Sequence, residues 1–222
     1  MERNFDDQLK NLKTQLMKMS ALAEVMIADA VRTVVDGETE AAHPVHEREE
    51  LVNQMEIEID DTCLRLIALH QPTASDLRFL IGAVKANAEL ERLADESVNI
   101  VRRSATLQDA SKLKPFEQLP AMAALARSMV RDSLRAFVNS NLELARDVIK
   151  RDDKQDDQHA KITAALTKYL QKADSDVPTA LALLLIARCL ERISDHATNI
   201  AEITIFVEEG RDVRHSGEKR SF

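Results

Sequence analysis

The chain has 222 residues, of which 45% are hydrophobic and 31% charged, with 4 glycines, 5 prolines, 1 tyrosine and no tryptophan. So few turn formers and β-favouring aromatics exclude a sheet-rich protein and predict an all-α one. A net charge of −8 and a pI near 5.3 argue against a nucleic-acid-backbone binder and against nonspecific attachment to anionic lipid.

Six helices are predicted in chain order, over 5–37, 40–70, 74–108, 116–138, 141–173 and 176–209. Gly37 closes the first. Pro44 falls near the start of the second, in its first turn or at a kink. Pro72 opens the third, with Thr73 as N-cap and Asp76 three residues on, close to a capping box. Pro115 and Pro120 bracket the start of the fourth, and Asn139-Ser140-Asn141 breaks it from the fifth. Pro178 opens the sixth, whose stripe of Leu183, Ile186, Leu190, Ile193, Ala197, Ile200, Thr204 and Val207 alternates three and four as a bundle seam does. Most of these helices span ~35–50 Å at 1.5 Å per residue, a length that packs as antiparallel neighbours. No apolar run approaches the ~20 residues of a membrane-spanning helix. The N-terminus, MERNFDDQLKNLK, is charged where a signal peptide is apolar, so the expected location is cytoplasmic. Cys63 and Cys189 are expected as buried thiols in a reducing compartment.

The strings ELERLADESVNI (89–100) and CLERISDHATNI (189–200) share Leu90/Leu190, Glu91/Glu191, Arg92/Arg192, Asp95/Asp195, Asn99/Asn199 and Ile100/Ile200. Asp76 and Asp176 stand at the same offset, and VNQMEIEI (52–59) and DDQHAKI (156–162) occupy similar places ahead of each motif. The expected architecture is two tandem three-helix bundles in an elongated six-helix protein: a first repeat over 1–110, a second over 111–210 and a flexible charged tail over 211–222.

Residues four apart stack on one helix face, so Glu91, Asp95 and Asn99 form one column of oxygen donors and Glu191, Asp195 and Asn199 its twin, with Glu202 beyond. On a helical wheel the second column lies at about 100–180° from Leu190 and the apolar stripe at about 320°, which turns the acids away from that seam, towards solvent or a shallow groove. Such columns are usually solvated faces. Yet like charges at this spacing repel by ~0.2–0.5 kcal/mol, and the costly arrangement occurs twice in register. Arg92 and Arg192 lie off the columns and do not obviously neutralise them. A bound cation therefore accounts for the pattern better than solvation does.

Carboxylate and amide oxygens suit magnesium, calcium, manganese or iron, and His196 at the edge of the second column would admit zinc or iron; against that, it is a surface or packing histidine. Glu56 and Asp60 are further candidates beside the first column, and Asp156 and Asp157 beside the second. A ferritin-like di-iron enzyme or metal-storage protein is the alternative, but only Glu40–His43 fits the Glu-x-x-His pattern and Pro44 follows it. No phosphate loop, nucleophile elbow or Ser/Cys–His motif is present.

The paired LER(L/I)xD strings with Asn four residues after each Asp, together with QPTASDLR (71–78) and the closing RDVRH (211–215), resemble the PhoU family of phosphate-specific transport system accessory proteins over nearly the whole chain. The resemblance implies tandem three-helix bundles whose Glu-x-x-x-Asp columns hold multinuclear metal clusters, with Glu91, Asp95, Glu191 and Asp195 as ligands extended by Asn99 and Asn199. It implies a non-enzymatic regulator that dampens the phosphate-sensing histidine kinase when phosphate is plentiful and contacts the phosphate transporter, notably its ATPase subunit. A homodimer and peripheral recruitment to the membrane through partners complete the expectation. The first column runs on to Arg102–Arg103 and the second to Glu202, so the first is the one whose occupancy this departure puts in question.

Overall fold

The computed structural model describes residues 2–107 and 113–211, the side chains of 2, 3, 39 and 114 excepted. Six α-helices follow one another: α1 (Glu2–Val35), α2 (Ala42–His70), α3 (Ala74–Ser104), α4 (Leu119–Val138), α5 (Leu142–Leu170) and α6 (Val177–Glu209). Short 3-10 turns precede α2 (Thr39–Ala41) and α4 (Lys114–Gln118), and no strand occurs among the described residues. Residues 212–222 of the tail expected to be flexible, and with them Asp212 to His215 of the closing RDVRH, lie outside the described residues.

The punctuation residues act locally. Gly37 takes φ +67° and ends α1. Pro44 lies in the first turn of α2, where its missing N–H costs no hydrogen bond, so no kink is needed. Gln71, ahead of Pro72, closes α2 in the left-handed region at φ 45°, its N–H donating to Ile67 O at 3.2 Å. Thr73 occupies the N-cap of α3, but its hydroxyl donates to Asp76 Oδ2 at 3.3 Å instead of accepting a backbone N–H, so the capping box is incomplete. Asn141 and Asp176 do cap, accepting from Leu144 N at 3.0 Å and Thr179 N at 3.2 Å. The third helix ends at Ser104, four residues short of the expected 108, and residues 116–118 are 3-10 rather than α.

Each repeat is a three-helix bundle: α1, α2 and α3 pack on one another, as do α4, α5 and α6. The bundles then join along two further contacts, α1 on α4 and α3 on α6. The result is a four-sided core of α1, α3, α6 and α4, flanked by α2 on one side and α5 on the other. The repeat is visible in the core itself: Leu16, Met19, Ala23 and Met26 of α1 correspond to Leu119, Met122, Ala126 and Met129 of α4, and all eight are buried. The two motif helices run antiparallel, since Arg78 Nε donates to Val207 O at 3.0 Å while Glu89 meets His196 further along.

Candidate functional site

The first acidic column lies in the crevice between α2 and α3. Glu91 and Asn99 are half-buried and Asp95 is exposed. Burial raises Glu91, with Asp95 and Glu56 pushing the same way; Asp95 is raised by burial and then by Glu49 and Glu96. Glu56 is raised too, by burial, Asp60 and Asp95. Three carboxyl groups on two helices thus hold their protons more tightly than usual, first because they are partly buried and then because other carboxylates lie nearby. Asp60 is partly drawn off: it accepts from the buried Asn87 Nδ2 at 2.9 Å, which also donates to Glu56 O at 2.8 Å.

The second column differs from the expected solvent-facing one. Glu191 is only 7% exposed and Glu202 2%, while Asp195 and Asn199 are half-buried. The helical wheel identified one apolar seam, but α6 packs on α3, α4 and α5 and is buried nearly all round. Burial pushes Glu191 up to about 7, Asp195 adding to the shift and Arg188 opposing it. Arg188, one turn earlier, ion-pairs with Glu191 Oε1, while Glu191 Oε2 is buried with no hydrogen-bond partner. Asp156 of α5 faces this column and lifts Glu191 further; its neighbour Asp157 is exposed. His159 is lowered by burial and by Arg188, against Asp156 and Asp195.

His196, expected at the edge of the column, turns instead into the α3–α6 seam. Its Nδ1 lies 2.7 Å from Glu89 Oε2, and Asn199 Nδ2 donates to the same oxygen at 3.0 Å. Burial alone raises Glu89, but the hydrogen bonds from His196 and Asn199, with the His196 and Arg92 charges, outweigh it and hold the carboxyl below its ordinary range. Across the antiparallel crossing, Arg192 pairs with the buried Glu96 at 2.7 Å. Cys189 lies against Glu96 as well; burial and then that hydrogen bond push its thiol up to about 12. Cys63 is likewise buried, free and pushed up to about 12.

Glu89 and Glu96 are the residues that motif reasoning passed over. Their signal lay in the mismatches of the repeat: Glu89 aligns with Cys189 and Glu96 with His196, and these non-identical positions lie in the seam where the two copies touch. The identical acids, Glu91/Glu191 and Asp95/Asp195, point to the outer crevices against α2 and α5.

The donor chemistry and the partnerless Glu191 Oε2 fit a hard cation. Among the described residues, however, no three His, Cys, Asp or Glu side chains converge on one point, so a cation would have to draw them together.

Fold and site together define a duplicated three-helix-repeat protein with an acidic column on the third helix of each repeat. The family model described as the PhoU domain matches twice, over residues 16–104 and 119–204. The chain is 34% identical over 221 residues to a phosphate-specific transport system accessory protein PhoU homolog of Pseudomonas putida, covering 99% of this chain and 86% of that one. It is 32% identical over 213 residues to the phosphate-specific transport system accessory protein PhoU of Escherichia coli strain K12, covering 96% and 88%. The crystal structure of PhoU from Pseudomonas aeruginosa superposes with a TM-score of 0.87 at 31% identity, over 93% of this chain and 100% of that one. The phosphate transport system regulatory protein PhoU from Streptococcus pneumoniae gives 0.87 at 28% identity, over 94% and 99%. The chain belongs to the PhoU family.

Proposed function

We propose that this protein is a non-enzymatic accessory of phosphate-specific transport, working in the cytoplasm as a regulator that represses phosphate-starvation signalling when phosphate is plentiful. In this reading it links the phosphate ABC transporter, through its ATPase subunit, to the sensor histidine kinase. The observation that carries it is near-full-length similarity, 34% identity over 99% of the chain, to a protein named for that accessory role. No helix of the described chain is long and apolar enough to cross a membrane, so contact with membrane-bound components goes through partner subunits. A homodimer fits the same role. Deleting the gene should derepress phosphate-starvation genes in phosphate-rich medium, and the purified protein should capture the ATPase subunit and the kinase. Unchanged expression together with no capture would refute the reading.

Metal binding forms the second half of the proposal. Glu91 and Asp95, with Glu56 across the crevice, would hold a cation in the first repeat, and Glu191 and Asp195 would do so in the second; Asn99 and Asn199 extend the columns, and Asp60, Asp157 and Glu202 are outer candidates. Iron, zinc, manganese and magnesium all suit such oxygen donors. A bound ion would supply charge neutralisation that stiffens the crevices. The first column is the more open, because Asp95 is exposed whereas Glu191 is buried and ion-paired with Arg188. Elemental analysis should therefore show that Glu91→Ala/Asp95→Ala removes more metal than Glu191→Ala/Asp195→Ala. Full metal content in both double variants would sink the site.

A further inference from the structure

The net charge of −8 conceals a basic edge. Arg127, Arg131 and Arg135 stand four apart on α4, one above the other, and all three are exposed. Among the described residues Arg131 and Arg135 ion-pair with Asp132, at 3.6 and 4.0 Å, with side chains 50% and 56% exposed. Exposed pairs of that length are worth little and leave the guanidinium groups available. The α1 carboxylate among them is Glu24, which feels all three arginines.

At the end of this row α1 and α4 part to leave a notch of about 250 Å³, walled by Val31, Val35, Ala123 and Ala124, rimmed by Arg32 and Arg127, with Asp36 at its mouth. That volume lies below the ~300–1,000 Å³ of small-molecule pockets and suits a single side chain. Arg32 is held in place by Asp29 and Glu38.

The α1–α4 edge is opposite the α3–α6 edge in the four-sided core. Packed helices sit 8–10 Å apart, so the acidic columns lie beyond roughly one Debye length of ~8 Å at physiological salt. An approaching surface at the α1–α4 edge therefore meets the arginines together with Glu24, Asp36 and Asp132, and feels the more distant acidic columns only weakly.

We propose that the α1–α4 edge is a docking surface for an acidic partner segment that carries one apolar side chain, its carboxylates meeting Arg127, Arg131 and Arg135 and its apolar side chain filling the notch. An apolar anchor beside a charged row is how small interfaces concentrate affinity, and arginine forks match carboxylates in pairs. The inference rests on the transport-accessory reading for its partner, the transporter's ATPase subunit.

The test measures binding of the purified ATPase subunit to the full chain at low and moderate salt. Wild type should bind and weaken with salt. Arg127→Glu/Arg131→Glu/Arg135→Glu should bind at least about tenfold more weakly and lose that salt dependence. Ala124→Trp, which plugs the notch from an exposed position without altering charge, should also weaken binding about tenfold. Thermal melts matching wild type show that the fold is kept. If wild type binds and both variants bind equally well, the edge assignment falls while the accessory function stands. If wild type does not bind the subunit at all, the edge assignment falls, and the accessory function then stands or falls on the expression test. Loss of binding to phosphatidylglycerol vesicles by the triple variant, with ATPase binding retained, would make the edge a lipid contact and overturn the proposal.

Discussion

Replacing Gly82 with leucine should melt the protein roughly 10 °C or more below wild type. Gly82 lies where α3 crosses α6 and α4. A Cβ built there meets Val207 Cγ2 at 2.6 Å, with Phe137 at 3.1 Å and Ile203 at 3.3 Å. Val207 is a β-branched residue only 6% exposed, and Phe137 is stacked on Phe79 with ring centroids 5.0 Å apart, so neither has room to retreat. Overpacking of this kind costs about 1–3 kcal/mol for a modest insertion, and leucine adds three further carbons beyond the Cβ. For a protein of this size each kcal/mol moves the midpoint by about 2–4 °C. Gly82→Ala tests the sign more finely. Helix propensity favours alanine by about 1 kcal/mol, while the Val207 contact opposes it, so a small net loss is expected. A leucine variant melting within a couple of degrees of wild type would show that α3 and α6 are not packed this closely.

The second large effect is expected at Glu89. Glu89→Ala removes the shared acceptor of His196 Nδ1 and Asn199 Nδ2 and leaves both within the α3–α6 seam. Stranding polar partners that are buried or half-buried costs about 1–3 kcal/mol per group, so a loss of about 2–4 kcal/mol is expected, or roughly 4–16 °C in midpoint. Glu89→Gln keeps an oxygen for one partner and should lose about half as much. Arg92→Ala, which removes only an exposed partner at 3.1 Å, should change little. The effect carries a pH signature. The folded-state carboxyl is held below its ordinary value, so its stabilisation is present above the usual range near 4.5 and is lost as pH falls through the lowered one. The melting difference between wild type and Glu89→Ala should therefore shrink on acidification below about pH 4.5. A difference that is the same at neutral and acid pH would mean that the ionised carboxylate does not hold the seam.

Both residues join the repeats to one another, a feature that periodicity does not encode. Gly82 within a helical run signals only a local propensity loss until α6 is laid across it. Glu89 belongs to the same motif string as Glu91 and is two residues away, yet it faces α6 while Glu91 faces α2. The arginines are similar. Arg92 and Arg192 ion-pair outside the acidic columns, with Glu89 and Glu96, as their wheel positions suggest, but Glu191 is ion-paired with Arg188 from the preceding turn.

The sequence by itself determined the number of helices, most of their ends and the duplication, because these rest on interactions within a few residues: caps, prolines, glycines and the three-four alternation of apolar side chains. It also determined which acids share a helix face, since that follows from helical geometry. Only the tertiary structure decided which way each face looks. A wheel places side chains relative to one seam, whereas α6 has three neighbouring helices and buries Glu191 and Glu202 between them. The docking of the bundles along α1–α4 and α3–α6, and with it the separation of a basic edge from the acidic crevices, depends on contacts between residues about a hundred positions apart, and no local spacing reports those.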